Sequence, residues 1–215
     1  MNELVPLGEY GFLARFTSAE AARRWAVSAR NAGDWVVDVV PAYATVAVFL
    51  DPEDERLEEH ADQLSRLEPA DEEVDPPRIH EVPVVYDGLD LDEVARAVGL
   101  SSVEVVAAHS GQEYRVDAIG FQPGFPYAGA LPESLRGLPR RASPRTHVPA
   151  GSVAIVGNQT AIYPAESPGG WHLLGRTPLA IVDVPNGIFP IRVGDRLRFL
   201  PIAPEEFASR RGVLK

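Results

Sequence analysis

The sequence contains no cysteine, which excludes disulfides, thiolate metal sites, iron–sulfur clusters and a cysteine nucleophile. Its one lysine is Lys215, so a Gly-Lys-Ser/Thr phosphate loop and an interior Schiff-base lysine are excluded as well. Any phosphate or carboxylate must be met by arginine and backbone amides. No apolar run approaches the roughly 18 residues that span a bilayer. The opening Met1-Asn2-Glu3-Leu4-Val5-Pro6 lacks the basic start and apolar stretch of a secretory leader. The expectation is a cytoplasmic protein with no membrane partner. Positive charge is in deficit, with 20 Lys+Arg against 31 Asp+Glu and a net charge of −11, which argues against a nucleic-acid partner.

What is present is an ordinary globular composition: 45% hydrophobic and 24% charged over 215 residues. That length suits one large domain or two small ones. Charge is unevenly spread. From Asp51 to Asp75 twelve acids stand against Arg56 and Arg66, whereas from Phe121 to Asn158 only Glu133 opposes Arg136, Arg140, Arg141 and Arg145. The acidic stretch reads as a solvated face, with a docking surface as the alternative.

The first half has the pattern of a small α+β unit. Glu9–Phe16 reads as a strand, and Thr17 with Glu20 as a capping box opening a helix to about Asn31. Ala22, Trp25, Ala26 and Ala29 share one face of that helix. Trp35–Val40 and Tyr43–Leu50 read as strands, and Asp51-Pro52-Glu53 opens a second helix to about Leu67. This order is compatible with a split βαβ sandwich. The proline- and acid-rich Glu68–Arg78 reads as a linker, giving domains 1–78 and 79–215.

After the linker, Ile79–Tyr86 alternates like a strand. Asp90 with Glu93, and Ser101 with Glu104, read as caps of two short helices ending at Gly99 and Gly111. From Tyr114 onward helical period gives way to short β-rich runs at Tyr114–Phe121, Ser152–Val156, Ala161–Tyr163, Leu179–Val182 and Arg196–Leu200. Prolines and glycines punctuate them, which implies a β-barrel or sandwich. Pro204-Glu205-Glu206-Phe207 reads as a short closing helix.

The chemistry concentrates in the loops of this second half. Gly120–Tyr127 combines aromatics, prolines and glycines, including Gly124, Phe125 and Tyr127; such a loop either lets backbone approach a ligand or plugs a barrel end. Pro139–Arg145 sets Arg140, Arg141 and Arg145 on proline-stiffened backbone, suited to anion recognition; in the alternative, one arginine pairs with an internal carboxylate. Gln159, Thr160 and Tyr163 offer neutral hydrogen bonds, Trp171 either stacks on a planar ligand or fills a core, and Arg176 can meet an anion. No histidine pair has metal-ligand spacing, and no metal site is expected. His109 closes a helix, where the dipole favours a protonated ring. No serine sits in a Gly-x-Ser-x-Gly elbow.

In order along the chain stand Gly120-Phe121-Gln122-Pro123-Gly124-Phe125-Pro126-Tyr127, Pro139-Arg140-Arg141, Pro144-Arg145, Val148-Pro149-Ala150-Gly151-Ser152-Val153, Gln159-Thr160, Tyr163-Pro164, Ser167-Pro168-Gly169-Gly170-Trp171 and Gly175-Arg176-Thr177-Pro178. This series closely resembles the KipI family, which comprises the B subunits of 5-oxoprolinase and is also called allophanate hydrolase subunit 1. The resemblance covers about Ile79–Ile202 densely and the first half thinly, through Val36–Tyr43 and Asp51-Pro52. Asp87-Gly88 stands where members more often carry Gly-Gly.

The resemblance implies an α+β chain: a small N-terminal split βαβ-like domain followed by a cyclophilin-like β-barrel. It implies the B subunit of an ATP-dependent 5-oxoprolinase, inactive alone, that opens a cyclic amide together with the C and A subunits. ATP, with Mg as its counter-ion, would act in the assembled complex. Arg140, Arg141, Arg145 and Arg176 are then the expected anion clamps. Gly124, Gln159, Thr160 and Tyr163 would orient substrate, and Phe125, Tyr127 and Trp171 would wall the site. Glu166 and His147 are candidate bases. The family also contains carboxyltransferase-like subunits that work with biotin and an inhibitor of a sensor histidine kinase, which stand as the alternatives.

Overall fold

Residues 1–70 and 76–214 are described by the computed structural model, and the chain divides into two compact units, Met1–Pro76 and Pro77–Lys215. The first unit contains β1 (Glu3–Pro6), β2 (Gly11–Arg15), α1 (Ala19–Arg30), β3 (Val36–Ala42), β4 (Thr45–Leu50) and α2 (Leu57–Arg66). Its sheet order is β1-β2-β4-β3, antiparallel throughout. β4 therefore lies between β2 and β3, which α1 connects, and this is the split βαβ arrangement. Alternation does the rest: Phe12 and Ala14 of β2, with Val46, Val48 and Leu50 of β4, are buried against Ala22, Trp25, Ala26 and Ala29 of α1 and Leu64 of α2.

Three local expectations shift here. The α1 cap is Ser18, whose side chain accepts from the Ala21 amide at 3.1 Å, rather than Thr17. The second helix starts at Leu57 rather than Asp51 because the Asp51 and Asp54 carboxylates accept from the amides of Glu53 and Arg56 at 2.9 and 3.0 Å. Side chains that hydrogen-bond nearby backbone this way compete with helical pairing. Pro41 lies inside β3 rather than ending it, tolerated because β3 is an edge strand. The expected linker at Glu68–Arg78 falls partly on residues 71–75, outside the described residues.

The second unit contains β5 (Ile79–Val84), α3 (Leu91–Val98), α4 (Ser102–Ser110), β6 (Glu113–Ile119), β7 (Pro126–Gly129), β8 (Arg145–Val148), β9 (Ser152–Val156), β10 (Gln159–Ile162), β11 (Ser167–Gly169), β12 (His172–Arg176), β13 (Leu179–Ala180), β14 (Arg196–Pro201) and β15 (Gly212–Val213). Seven strands form one sheet in the order β12-β9-β10-β7-β6-β14-β5. The pairing of β14 with β5 is parallel, and the others are antiparallel. Val85, just beyond β5, bridges to Arg176 at the end of β12 through a pair of amide bonds of 3.0 and 2.9 Å. That bridge brings the two outer strands together, so the sheet is a nearly closed barrel.

Two apolar cores meet across β9, all five residues of which are buried. Val153 and Ile155 join Val82, Val84, Tyr114, Val116, Ile162, Leu197 and Phe199 inside the barrel. Ala154 and Val156 join Phe125, Tyr163 and Trp171 on the other face. A strand covered on both faces reads as an unbroken apolar run, as Val153–Val156 does. Ser101 and Glu104 cap α4 reciprocally, with amide contacts of 2.8 and 3.3 Å. Pro204–Glu206 forms a single 3-10 turn. No helix among the described residues is long and apolar enough to cross a membrane.

Candidate functional site

Asp90 stands immediately before α3, in the position of a cap, yet its side chain makes no capping bond. Instead it is 1% exposed and takes four hydrogen bonds from elsewhere. Arg145 donates to both oxygens, at 2.9 and 2.6 Å, and Arg141 donates at 2.7 Å. The Leu173 amide of β12 adds a fourth at 2.8 Å. Glu93, one turn along α3, takes a second bond from Arg141 at 2.9 Å. Burial pushes the Asp90 carboxyl upward, but the Arg145 hydrogen bonds, the Leu173 amide and the charges of both arginines outweigh it and hold the group below the usual carboxylate range. Arg141 and Arg145, expected as free anion clamps, are thus fastened to carboxylates. An internal charge must be paired, and these two arginines pair it.

Arg176 is also occupied. Its guanidinium group bonds Asp87 at 3.0 Å and lies over the Phe207 ring, 4.5 Å from the centroid. It therefore latches the barrel seam rather than standing open to an anion. Arg140 differs from all three. It is exposed and forms no ion pair with a carboxylate among the described residues. Its charge reaches the phenols of Tyr127 and Tyr163. The backbone explains the placement: the Arg141 amide donates to the Gly170 carbonyl at 2.8 Å, and His172 Nε2 donates to the Pro139 carbonyl at 2.8 Å. These two bonds lay the 139–145 loop along the segment before β12. Arg141 is then delivered to Asp90.

The aromatic residues expected as walls do come together. Phe125 lies edge-on to Tyr127, Tyr163 and Trp171, with ring centroids 4.9, 5.2 and 5.6 Å away. Phe125, Tyr163 and Trp171 are buried and only Tyr127 is half-buried, so the first three build the second core and Tyr127 meets the surface. Trp171 is a core plug and does not present a face for stacking. Burial raises both phenols, against the lowering influence of Arg140. Gly124 sits at φ +77°, and a Cβ there would overlap Val182 Cγ1; its role is close packing of the loop. Gln159 opens β10 opposite Gly129 and Val156. His147 and Glu166 pair at 3.1 Å, both exposed.

Thr160 and His109 lie inside the barrel, which corrects two expectations. Thr160 is fully buried, and its hydroxyl donates to the Ala154 carbonyl at 3.1 Å. It therefore accepts from His109 Nε2 at 2.9 Å, and His109 Nδ1 accepts from the Tyr86 hydroxyl at 2.8 Å. The Thr160 hydroxyl is thus fully engaged inside the barrel. Burial depresses His109 to about 3, so the ring is neutral and does not cap α4 with a charge. The alternative in which an arginine of this segment pairs with an internal carboxylate is the one the structure shows, with two arginines rather than one meeting Asp90.

The profile of the carboxyltransferase domain, subdomain C and D, matches residues 3–187. The B subunit of 5-oxoprolinase from Escherichia coli O157:H7 is 47% identical over 178 residues, which are 77% of this chain and 78% of that one. Among solved structures, TTHA0988 superposes with a TM-score of 0.77 at 41% identity over 90% of this chain, which spans 40% of the length of TTHA0988. The Kluyveromyces lactis urea carboxylase gives a TM-score of 0.69 at 20% identity, over 96% of this chain and 22% of that chain. At that identity the likeness concerns the fold.

Proposed function

This chain belongs to the family of carboxyltransferase subdomains C and D, and from that membership we propose that it is the B subunit of an ATP-dependent 5-oxoprolinase, a cytoplasmic heteromer with the C and A subunits. The observation that carries the reading is the identity to the Escherichia coli B subunit along most of both chains. The geometry agrees with it. A lactam amide is a poor electrophile, and opening it demands stabilisation of developing negative charge, which a guanidinium group supplies without a covalent protein intermediate. Arg140, exposed and without an ion pair among the described residues, is the group this chain offers.

In this reading ATP is handled in the assembled complex with the partner subunits. Arg141, Arg145 and Arg176 are held by Asp90, Glu93 and Asp87, and no cluster of three His, Asp or Glu side chains among the described residues is placed to hold the cation of MgATP. No step of ATP chemistry is routed through this chain. TTHA0988 carries the same module within a chain more than twice as long, which accords with a module that works beside others.

Reconstitution tests the reading. The purified chain should release no glutamate from 5-oxoproline, and addition of the A and C subunits should restore ATP-dependent release. A complete mixture without turnover overturns it. Arg140→Met separates this reading from stoichiometric kinase inhibition, because an enzyme subunit loses turnover whereas an inhibitor keeps its binding. Arg145, held by Asp90, cannot serve that comparison, since its loss disturbs the fold.

A further inference from the structure

We propose that Asn186 is a site of self-modification: its side-chain amide is lost by attack of the Gly187 amide nitrogen, and Asp183 sets the pace by clamping that side chain. The reaction needs only this chain and water, so it stands apart from the activity proposed above. Its product is a second carboxylate at the tip of the 183–188 hairpin, which opens the turn.

The chain contains one Asn-Gly pair, Asn186-Gly187, whereas Asn2, Asn31 and Asn158 precede Glu3, Ala32 and Gln159. A following side chain hinders approach of the amide nitrogen to the asparagine Cγ, and glycine has none. Both residues of the pair are exposed to water. Gly187 lies at φ +66°, with open space where a Cβ would stand. In the reaction the Gly187 nitrogen bonds Asn186 Cγ, the Cγ–Nδ2 bond breaks, and Nδ2 departs as ammonia with the Gly187 amide proton. Water then opens the cyclic imide at either carbonyl, leaving an aspartyl or isoaspartyl residue at position 186.

The turn itself sets a guard on this step. Asn186 Nδ2 donates to Asp183 Oδ2 at 2.8 Å, and the Asn186 amide donates to Asp183 Oδ1 at 3.3 Å. The Gly187 amide donates to the Val184 carbonyl at 3.1 Å, and Asp183 and Ile188 exchange two backbone bonds of 2.9 Å. Attack must break the bond from Nδ2 and the bond from the Gly187 amide. Once Nδ2 has gone, a carboxylate stands where the donor was, within reach of the Asp183 carboxylate, and like charges that close repel. The clamp that slows the reaction thus drives the tip apart after it. Asp87-Gly88, the one Asp-Gly pair, can form the same imide but is held in the barrel seam. There the Gly88 amide donates to the Leu174 carbonyl at 3.1 Å and Asp87 pairs with Arg176.

Ageing the full chain at neutral and mildly alkaline pH tests this, with peptide mapping by mass spectrometry as the readout. A synthetic peptide of residues 181–190, free of the folded turn, serves as the clock. The amide-to-acid mass change should appear at position 186 before any other asparagine, and more slowly than in the peptide. Asp183→Ala should convert about tenfold faster than wild type, the effect of losing one hydrogen bond to a charged group. Asp183→Asn, which keeps an acceptor without the charge, should fall between them, and Asn186→Gln should not convert over the same interval. Anion exchange separates the converted chain, which carries one more negative charge. In that fraction the Gly187 and Ile188 amides should exchange hydrogen about tenfold faster than in the unconverted chain, reporting the loss of one turn bond. Earlier conversion at another asparagine, no conversion once the peptide has fully reacted, Asp183→Ala no faster than wild type, or unchanged exchange at the tip would each overturn the proposal.

Discussion

Arg145 grips both oxygens of Asp90, at 2.6 and 2.9 Å, across 55 residues of sequence. The pair joins the arginine loop to the start of α3, and the Leu173 amide on the same carboxylate ties in β12. One buried acid therefore fixes three separate pieces of the barrel wall. An ion pair of this kind contributes little over a well-packed apolar substitute, but breaking it strands the partner that remains.

Asp90→Ala is accordingly expected to lower unfolding free energy by about 3 kcal/mol, because it orphans the Arg145 guanidinium and an internal amide and leaves Arg141 only Glu93. Arg145→Ala should fall in the same range, whereas Arg140→Ala should stay within about 0.5 kcal/mol, as an exposed side chain without an ion pair. Urea denaturation of the three variants checks this, and equal losses at positions 140 and 145 would refute it.

Two acid limbs should appear in stability against pH. His109 is held near 3 by burial, while an unfolded histidine titrates near about 6.5. Between those values the unfolded chain binds the extra proton, so stability falls with acidification by at most about 1.4 kcal/mol per pH unit. Asp90 acts lower. Its folded carboxyl lies below the unfolded value, so its contribution is intact above about pH 3.9 and disappears as the pH drops through the folded value. His109→Gln should flatten the upper limb, and the gap between wild type and Asp90→Asn should narrow only at the lower one.

Thr160→Val should destabilise by about 1–3 kcal/mol, the cost of leaving the His109 Nε2–H unpaired, and Tyr86→Phe should do likewise through Nδ1. Neither should alter the KM for 5-oxoproline in the assembled enzyme, because the Tyr86–His109–Thr160 chain of hydrogen bonds faces the barrel interior. A raised KM in Thr160→Val with stability unchanged would restore Thr160 to the substrate.

Gly124→Ala combines a positive φ with a clash against Val182 and should cost about 1–3 kcal/mol. Adding Val182→Ala should relieve the clash and leave only the left-handed strain, about 1 kcal/mol. Thermal melts of the single and double variants measure both parts.

Much of the architecture was legible wherever a short-range rule governed it. The α1 face follows from helical period, the α4 cap from Ser101 and Glu104, and β9 from its unbroken apolar run. The candidate site was legible in its aromatic cluster and far less in its charges. Asp90 and Glu93 look locally like a cap, and nothing within a few residues shows that their partners are Arg141 and Arg145. Strand β12 escaped because Gly175 sits in it, where a Cβ would collide with the Val85 carbonyl across the seam. That requirement is set by a segment about 90 residues earlier and has no trace in the local pattern.

β5 finds its parallel neighbour in β14, with Ile79 opposite Arg196. A polypeptide emerging from the ribosome therefore cannot complete this sheet until the later strand has been synthesised. In the interval the edge of β5 is unsatisfied, and closing so long a loop makes late assembly slow. Translation arrested between the two strands should leave a nascent chain that chaperones hold and proteases cut, whereas release after β14 should yield resistance.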